Sequence, residues 1–491
     1  MKPTDEQAAA LELFMRGDSM VIEAGAGTGK TSTLQLLAAS TRRRGRYLAF
    51  NKAIVTDVAG KMPDRVAAST AHSLAFRAVG TRYSHRLGSG RMKSSMIAQR
   101  LDIRHFVART TAGNKVLQEG FLGGLAMRAI TIFCQTLDTE PSPRHVPYVD
   151  GIDLPDKDGN RTWDNNRALR EHLAPALRKA WGDITNTDGQ LPFRHDHYLK
   201  LWQLSHPTID TDFILFDEAQ DANPVMAGVV GEQEHAQRVY VGDSAQAIYE
   251  FTGAVNALDA IDAQHRRHLT QSFRFGVDIA AAANVVLETL DAPIRLKGLD
   301  TIPSIIRELG EDERPDSILC RTNAKAVETI LAWKARGTRP HLVGGGTEVA
   351  SFARAAKELQ QGQPTYHPEL ACFGSWGEVQ DYVAQDAQGA ELRLLVRLVD
   401  DYGVPTILSA LERMPTEHEA DLIISTAHKA KGREWPIVQI ADDFAEIEQT
   451  TSELRLRYVA ITRARSVLDD TALHAGADDG DEPALLPTPP A

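Results

Sequence analysis

Two short segments carry most of the chemistry this sequence could perform. The run Gly25–Thr31, GAGTGKT, alternates Gly25, Gly27 and Gly29 with Ala26 and Thr28 before Lys30 and Thr31. Glycines let backbone N–H groups turn inward around phosphates, and a helix starting at Lys30 would add its positive dipole end. Lys30 would reach the β and γ phosphates and Thr31 would hold Mg²⁺. The second segment, LFDEAQD, delivers Asp217 and Glu218 from an apolar run. Asp217 would join the Mg²⁺ shell, and Glu218 would orient and deprotonate an attacking water. Together they predict hydrolysis of a nucleoside triphosphate, with Mg²⁺ as the expected metal.

Such groups must be delivered by strand ends. Residues 19–23 (SMVIE), 46–50 (RYLAF), 212–216 (DFILF) and 238–241 (RVYV) are short apolar runs of the kind that form buried parallel strands. Ala- and Leu-rich helical stretches follow several of them, the pattern of an α/β sheet that binds ligands at its carboxyl edge. A second series at 317–321, 421–425 and 436–441 predicts a second α/β domain.

Residues 81–205 separate two strands by far more than an ordinary connection and predict a mostly helical insertion. Residues 346–418, after the turn Gly344–Gly346, predict a smaller one. The expected division is therefore 1–80 with 206–255, insertion 81–205, then 256–345 with 419–474, insertion 346–418. Residues 475–491, acidic and then Pro-rich, are expected to be disordered. No internal repeat is present.

Composition narrows the class. The chain has 491 residues, 43% hydrophobic and 24% charged, and no apolar run long enough to span a bilayer. Its N-terminus has no secretory pattern, so a cytoplasmic location is expected. Cys134, Cys320 and Cys372 are too scattered for a disulfide framework or a CxxC metal site, and read as buried thiols. The net charge of −12 argues against a protein that coats nucleic acid, but not against one that grips a strand in a local cleft. Arg42–Arg44 form a basic cluster that could meet phosphates or simply end a helix in solvent.

Further motifs appear in a fixed order. They are Gln7, AGAGTGKT, AFNK at 49–52, STAHSLAFRA at 69–78, LFDEAQD, VGDSAQAIYEFTGA at 241–254, LTQSFRF at 269–275, SILCRTN at 317–323, STAHKAKGREW at 425–435 and ELRLRYVAITRAR at 453–465. This ordered set resembles the superfamily 1 helicases of the UvrD, Rep and PcrA group, and within it the shorter F-box-helicase-like members.

The resemblance implies two RecA-like P-loop domains with parallel sheets, each carrying a mostly helical insertion, and ATP bound between them. It implies that Gln7 reads the adenine edge, Phe273 stacks on the base and Glu434 contacts the ribose. Gln246 would sense the γ-phosphate, and Arg274 and Arg455 would be arginine fingers. On the strand side it implies that Phe251, with Tyr249 two residues before it, stacks on DNA bases, a sequence-tolerant contact suited to a motor. Asn51, Lys52, Thr70, His72 and His428 fall in motifs that touch the strand or couple it to the nucleotide.

The implied activity is ATP-dependent 3′ to 5′ movement on single-stranded or tailed duplex DNA, in repair, recombination or replication. Two departures stand out: Ser32 and Thr252 occupy positions where the family often has Arg. With the small second insertion, they leave open a translocase that strips proteins from DNA without strong unwinding, or a motor subunit of a larger nuclease or defence complex. The C-terminal tail is a candidate docking peptide for a protein partner.

Overall fold

The structure is a computed structural model that describes residues 2–49, 52–58, 60–88, 92–110, 113–153, 164–248, 258, 261, 263, 265–310, 312–371, 373–385, 390–445 and 450–474. It divides into two compact units, one of residues 1–270 with 348–405 and one of residues 271–347 with 406–491.

In chain order the first unit contains β1 (Met20–Ala24), β2 (Gly45–Ala49), β3 (Val66–Thr70), β4 (Phe106–Thr110), β5 (Gly113–Leu117), β6 (Phe213–Phe216), β7 (Gln237–Gly242) and β8 (His265–Leu269). Six of these form one sheet in the order β3-β2-β6-β7-β1-β8, with every pairing parallel. β1 and β6 are buried at every position, because helices cover both faces of such a sheet. β8 is an edge strand, and its sequence HRRHL is correspondingly polar.

The helix Asp5–Arg16 shows how local sequence sets an element. Thr4 and Gln7 form a reciprocal capping box, Asp5 and Glu6 sit in the first turn, Arg16 in the last, and Gly17 closes the helix in a left-handed conformation.

The insertion between β3 and β6 holds the helices Ser94–Arg100, Glu119–Phe133, Asp164–Thr185 and His195–Leu204, together with the antiparallel hairpin β4–β5. Its core is built from residues such as Leu122, Ile130, Phe133, Leu173 and Leu177, all fully buried. Residues 348–405 group with this unit rather than with the second α/β sheet that flanks them in sequence. Lys115 of β5 pairs with Glu378 at 2.6 Å and lies over the Phe373 ring at 5.1 Å, and Tyr382 donates to Asp150 at 3.4 Å. The first unit therefore runs to Thr270, beyond residue 255, because β8 completes its sheet.

The second unit contains β9 (Ile305–Ile306), β10 (Ser317–Cys320), β11 (Pro340–Leu342), β12 (Leu422–Thr426), β13 (Trp435–Ile440) and β14 (Ala464–Asp469). They form a second parallel sheet in the order β11-β12-β10-β13-β14-β9. The protein is thus α/β with two parallel sheets, as the resemblance to proteins with two RecA-like domains implies. No helix among the described residues is long and apolar enough to cross a membrane. Cys134 and Cys320 are buried free thiols, and Cys372 lies outside the described residues.

Candidate nucleotide site

The carboxyl ends of β1, β6 and β7 bring the first unit's candidate nucleotide residues together. β1 runs straight into the glycine loop, where Gly27 (φ 73°) and Gly29 (φ 78°) adopt left-handed conformations that a side chain would strain. Thr28 Oγ1 donates to the Gly25 carbonyl at 2.8 Å and closes the loop on itself. The helix Lys30–Ala39 starts at Gly29 without any side-chain cap, as expected where a helix N-terminus receives an anion. Ala26, within the loop, is buried, and Thr31 occupies the first helical turn. Gln7 donates to Thr33 Oγ1 at 3.0 Å, docking the first helix against the phosphate-loop helix.

Asp217 follows β6 and is 2% exposed. Tyr47 of β2 donates to its Oδ2 at 2.5 Å, and the Glu218 amide donates to Oδ1 at 3.0 Å. Burial, reinforced by the neighbouring Glu218 charge, pushes the Asp217 carboxyl up to about 6. Burial and Asp217 in turn push the Tyr47 phenol upward, so it stays a donor. Glu218 has φ +52°, an uncommon left-handed conformation for a residue with a side chain and a frequent feature of functional sites. Its carboxylate lies 3.6 Å from Lys30 Nζ.

Asp217 and Thr31 are the residues that could hold Mg²⁺. No group of three or more His, Cys, Asp or Glu side chains suited to a metal occurs among the described residues. That donor set suits an ion that takes one or two protein ligands and completes its shell with phosphate and water.

Gln220 and Gln246 extend this site. Gln220 Nε2 donates to Glu218 Oε2 at 2.6 Å, and its Oε1 accepts from the Asp243 amide at 3.1 Å. Asp243 accepts from Gln246 Nε2 at 2.5 Å. A Cβ at Gly242 would lie 2.2 Å from Gln220 Oε1 and 2.8 Å from Leu258 Cδ1, so a side chain there would displace Gln220 from this network.

Thr70 ends β3 and caps the helix Ala71–Ala78 through the Ser73 amide at 3.1 Å. His72 in that helix pairs with Asp196 at 3.5 Å. Lys52, exposed, opens the helix Lys52–Val58. Asn51, Tyr249, Phe251 and Thr252 lie outside the described residues, as does the tail 475–491. Of the basic cluster, Arg43 stacks over Phe14 and Phe213 at 5.1 and 5.6 Å, and Arg44 pairs with Asp210 at 3.0 Å. These two arginines serve packing and surface pairing.

In the second unit, Arg274 donates to Glu434 at 2.6 Å and to the Thr462 carbonyl at 2.9 Å, which fixes the guanidinium. Phe273, partly buried, precedes it. Arg455 is partly buried on the helix Thr451–Ile461, and His428 lies in the short helix Ala427–Ala430 that follows β12.

Glu23, Tyr47, Gln220 and Asp243 were not singled out from the sequence. A glutamate within the apolar run SMVIE was the available signal for Glu23. Tyr47 gave none, since a tyrosine in a strand is ordinary packing.

Residues 7–252 match the AAA domain family, and residues 421–468 match the UvrD-like helicase C-terminal domain. The chain belongs to the UvrD-like superfamily 1 helicases. This UvrD-like chain is 30% identical over 517 residues to F-box DNA helicase protein 1 of Schizosaccharomyces pombe, across 95% of the chain and 57% of that protein. It is 29% identical over 511 residues to F-box DNA helicase 1 of Gallus gallus, across 95% of the chain and 49% of that protein. The UvrD-like chain thus spans about half the length of these curated relatives.

Proposed function

We propose that this chain is an ATP- and Mg²⁺-dependent DNA motor that moves 3′ to 5′ on single-stranded DNA and opens tailed duplexes, acting in the cytoplasm. The observation that carries the reading is the single network linking Lys30, Glu218, Gln220, Asp243 and Gln246. It gives a hydrolytic centre a direct connection to the segment that leads toward Tyr249 and Phe251. The names of the relatives, DNA helicases both, support DNA as the substrate.

In this reading the phosphate loop and Lys30 bind the phosphates, Thr31 and Asp217 hold Mg²⁺, and Glu218 takes the proton of the attacking water. The metal supplies charge neutralisation on the phosphate oxygens. Gln246 senses the γ-phosphate, Arg274 and Arg455 stabilise the transition-state charge, and Gln7, Phe273 and Glu434 recognise the nucleoside. Lys52, Thr70, His72 and His428, with Asn51, Tyr249 and Phe251, meet the strand.

Charge distribution favours the same partner. Residues 81–205 hold 18 Lys and Arg against 13 Asp and Glu, whereas the remainder holds 36 against 53. The inserted subdomain is therefore a basic region in an acidic chain, suited to phosphate backbones.

The test is unwinding of 3′-tailed and 5′-tailed duplexes by the purified chain with ATP and Mg²⁺. Opening of the 3′-tailed substrate alone is expected, and preference for the 5′ tail would overturn the polarity. Displacement of a bound protein without strand separation would instead favour a stripping translocase.

A further inference from the structure

Glu23 is the next-to-last residue of β1, two positions before the glycine loop, and is only 5% exposed. Burying a carboxylate is costly unless it is paired and hydrogen-bonded. Glu23 accepts from the Ser244 amide at 2.6 Å and from Ser244 Oγ at 2.8 Å, short bonds of the charge-assisted kind. Ser244 opens the 3₁₀ turn Ser244–Gln246, which is also held by Asp243 through the Ala245 amide at 3.2 Å and the Gln246 amide group at 2.5 Å. From the other side, Gln220 fixes Asp243 while holding Glu218. The turn that carries Gln246 is thus clamped by one buried side chain from the phosphate-loop strand and another from the acidic motif.

We propose that Glu23 is a positioning residue that makes the Ser244–Gln246 turn follow the phosphate loop, with Gln220 as the second arm of the clamp. A shift of the loop on binding phosphate pulls β1's carboxyl end, and the two bonds to Ser244 carry that shift into the turn. Glu23 touches no reacting atom in this scheme and acts through Ser244. The proposal deepens, and rests on, the reading of residues 25–31 as a nucleotide loop.

Hydrogen exchange of the full chain, with and without ADP and Mg²⁺, tests it in the wild type and in Glu23→Leu, Glu23→Gln and Ser244→Ala. In the wild type, nucleotide is expected to slow exchange about tenfold in both 25–31 and 242–248. Glu23→Leu retains the protection at 25–31, which also shows that it is folded, and loses it at 242–248. Glu23→Gln, whose amide oxygen still accepts from Ser244, keeps both. Ser244→Ala, a milder change, weakens the response at 242–248 and serves if the leucine variant does not fold.

Equal protection of 242–248 in the wild type and in the Leu and Ala variants would overturn the proposal, as would its absence from the wild type. Absence of protection at 25–31 in the wild type would overturn the nucleotide reading as well. ATP turnover measured alongside, with and without oligo-dT, separates the cases. A wild type whose turnover DNA does not raise refutes the motor function while the exchange data decide the clamp.

Discussion

Lys30 Nζ and Glu218 Oε1 lie 3.6 Å apart, joining the helix that follows β1 to the turn that follows β6. Both side chains are mostly buried, at 14% and 22% exposed, so each restrains the other in the place where phosphate and water would be handled. Lys30→Ala is expected to lower kcat/KM for ATP about a thousandfold, and Glu218→Gln to lower kcat by about the same factor while nucleotide still binds. Steady-state hydrolysis and titration with a fluorescent nucleotide check the pair. Full turnover in Glu218→Gln would remove it from the role of base.

Tyr47 supports from behind the carboxylate proposed to hold Mg²⁺. Its hydroxyl donates to Asp217 Oδ2 at 2.5 Å, and such outer partners orient a ligand. In Tyr47→Phe the Mg²⁺ concentration giving half-maximal ATP hydrolysis is expected to rise about tenfold. An unchanged Mg²⁺ dependence would show that Asp217 needs no such support.

Much of this arrangement is legible in the sequence, for definite physical reasons. All seven strands read from apolar runs are strands in the structure, because buried parallel strands need continuous hydrophobic sequence. β8 escaped because HRRHL lies at a sheet edge, and β3 because VAAST is small and weakly apolar. The glycine loop and Asp217–Glu218 were legible because their chemistry depends on local spacing. Glu23, Tyr47 and Gln220 were not, because their roles arise only when three strand ends meet. The grouping of residues 348–405 with the first unit was equally hidden, since it depends on long-range packing of Ala371 and on the Lys115–Glu378 pair.

The inserted subdomain contains a pH-sensitive point. His197 is 1% exposed, and its Nδ1 accepts from the Arg194 amide at 3.0 Å, so the ring is neutral with its proton on Nε2. Burial lowers its pKa from 6.5 to about 4. Above pH 6.5 the folded and unfolded forms bind equal protons at this group. As pH falls from 6.5 toward 4 only the unfolded form is protonated, and up to about 3 kcal/mol of stability is lost. Comparing unfolding midpoints at pH 7.5 and 5.0, His197→Gln should lose less on acidification than the wild type. Burial also lowers the pKa of His145 and His367, so some acid sensitivity remains. An identical acid shift in both proteins would contradict this assignment.

The second insertion is expected to be energetically coupled to the first through Lys115, Glu378 and Phe373. A thermal-unfolding double-mutant cycle on Lys115→Met and Glu378→Gln should give a coupling energy of about 1 kcal/mol, since Lys115 is only 15% exposed. Additive effects would show that residues 348–405 pack without this pair.

Hydrolysis at Lys30 and Glu218 is proposed to be driven by DNA. ATP turnover by the full chain, measured with Mg²⁺ across a titration of oligo-dT, tests it most directly. Turnover is expected to rise at least about tenfold, to saturate with DNA, and to show no such rise in Glu218→Gln. Turnover that is the same with and without DNA would contradict it.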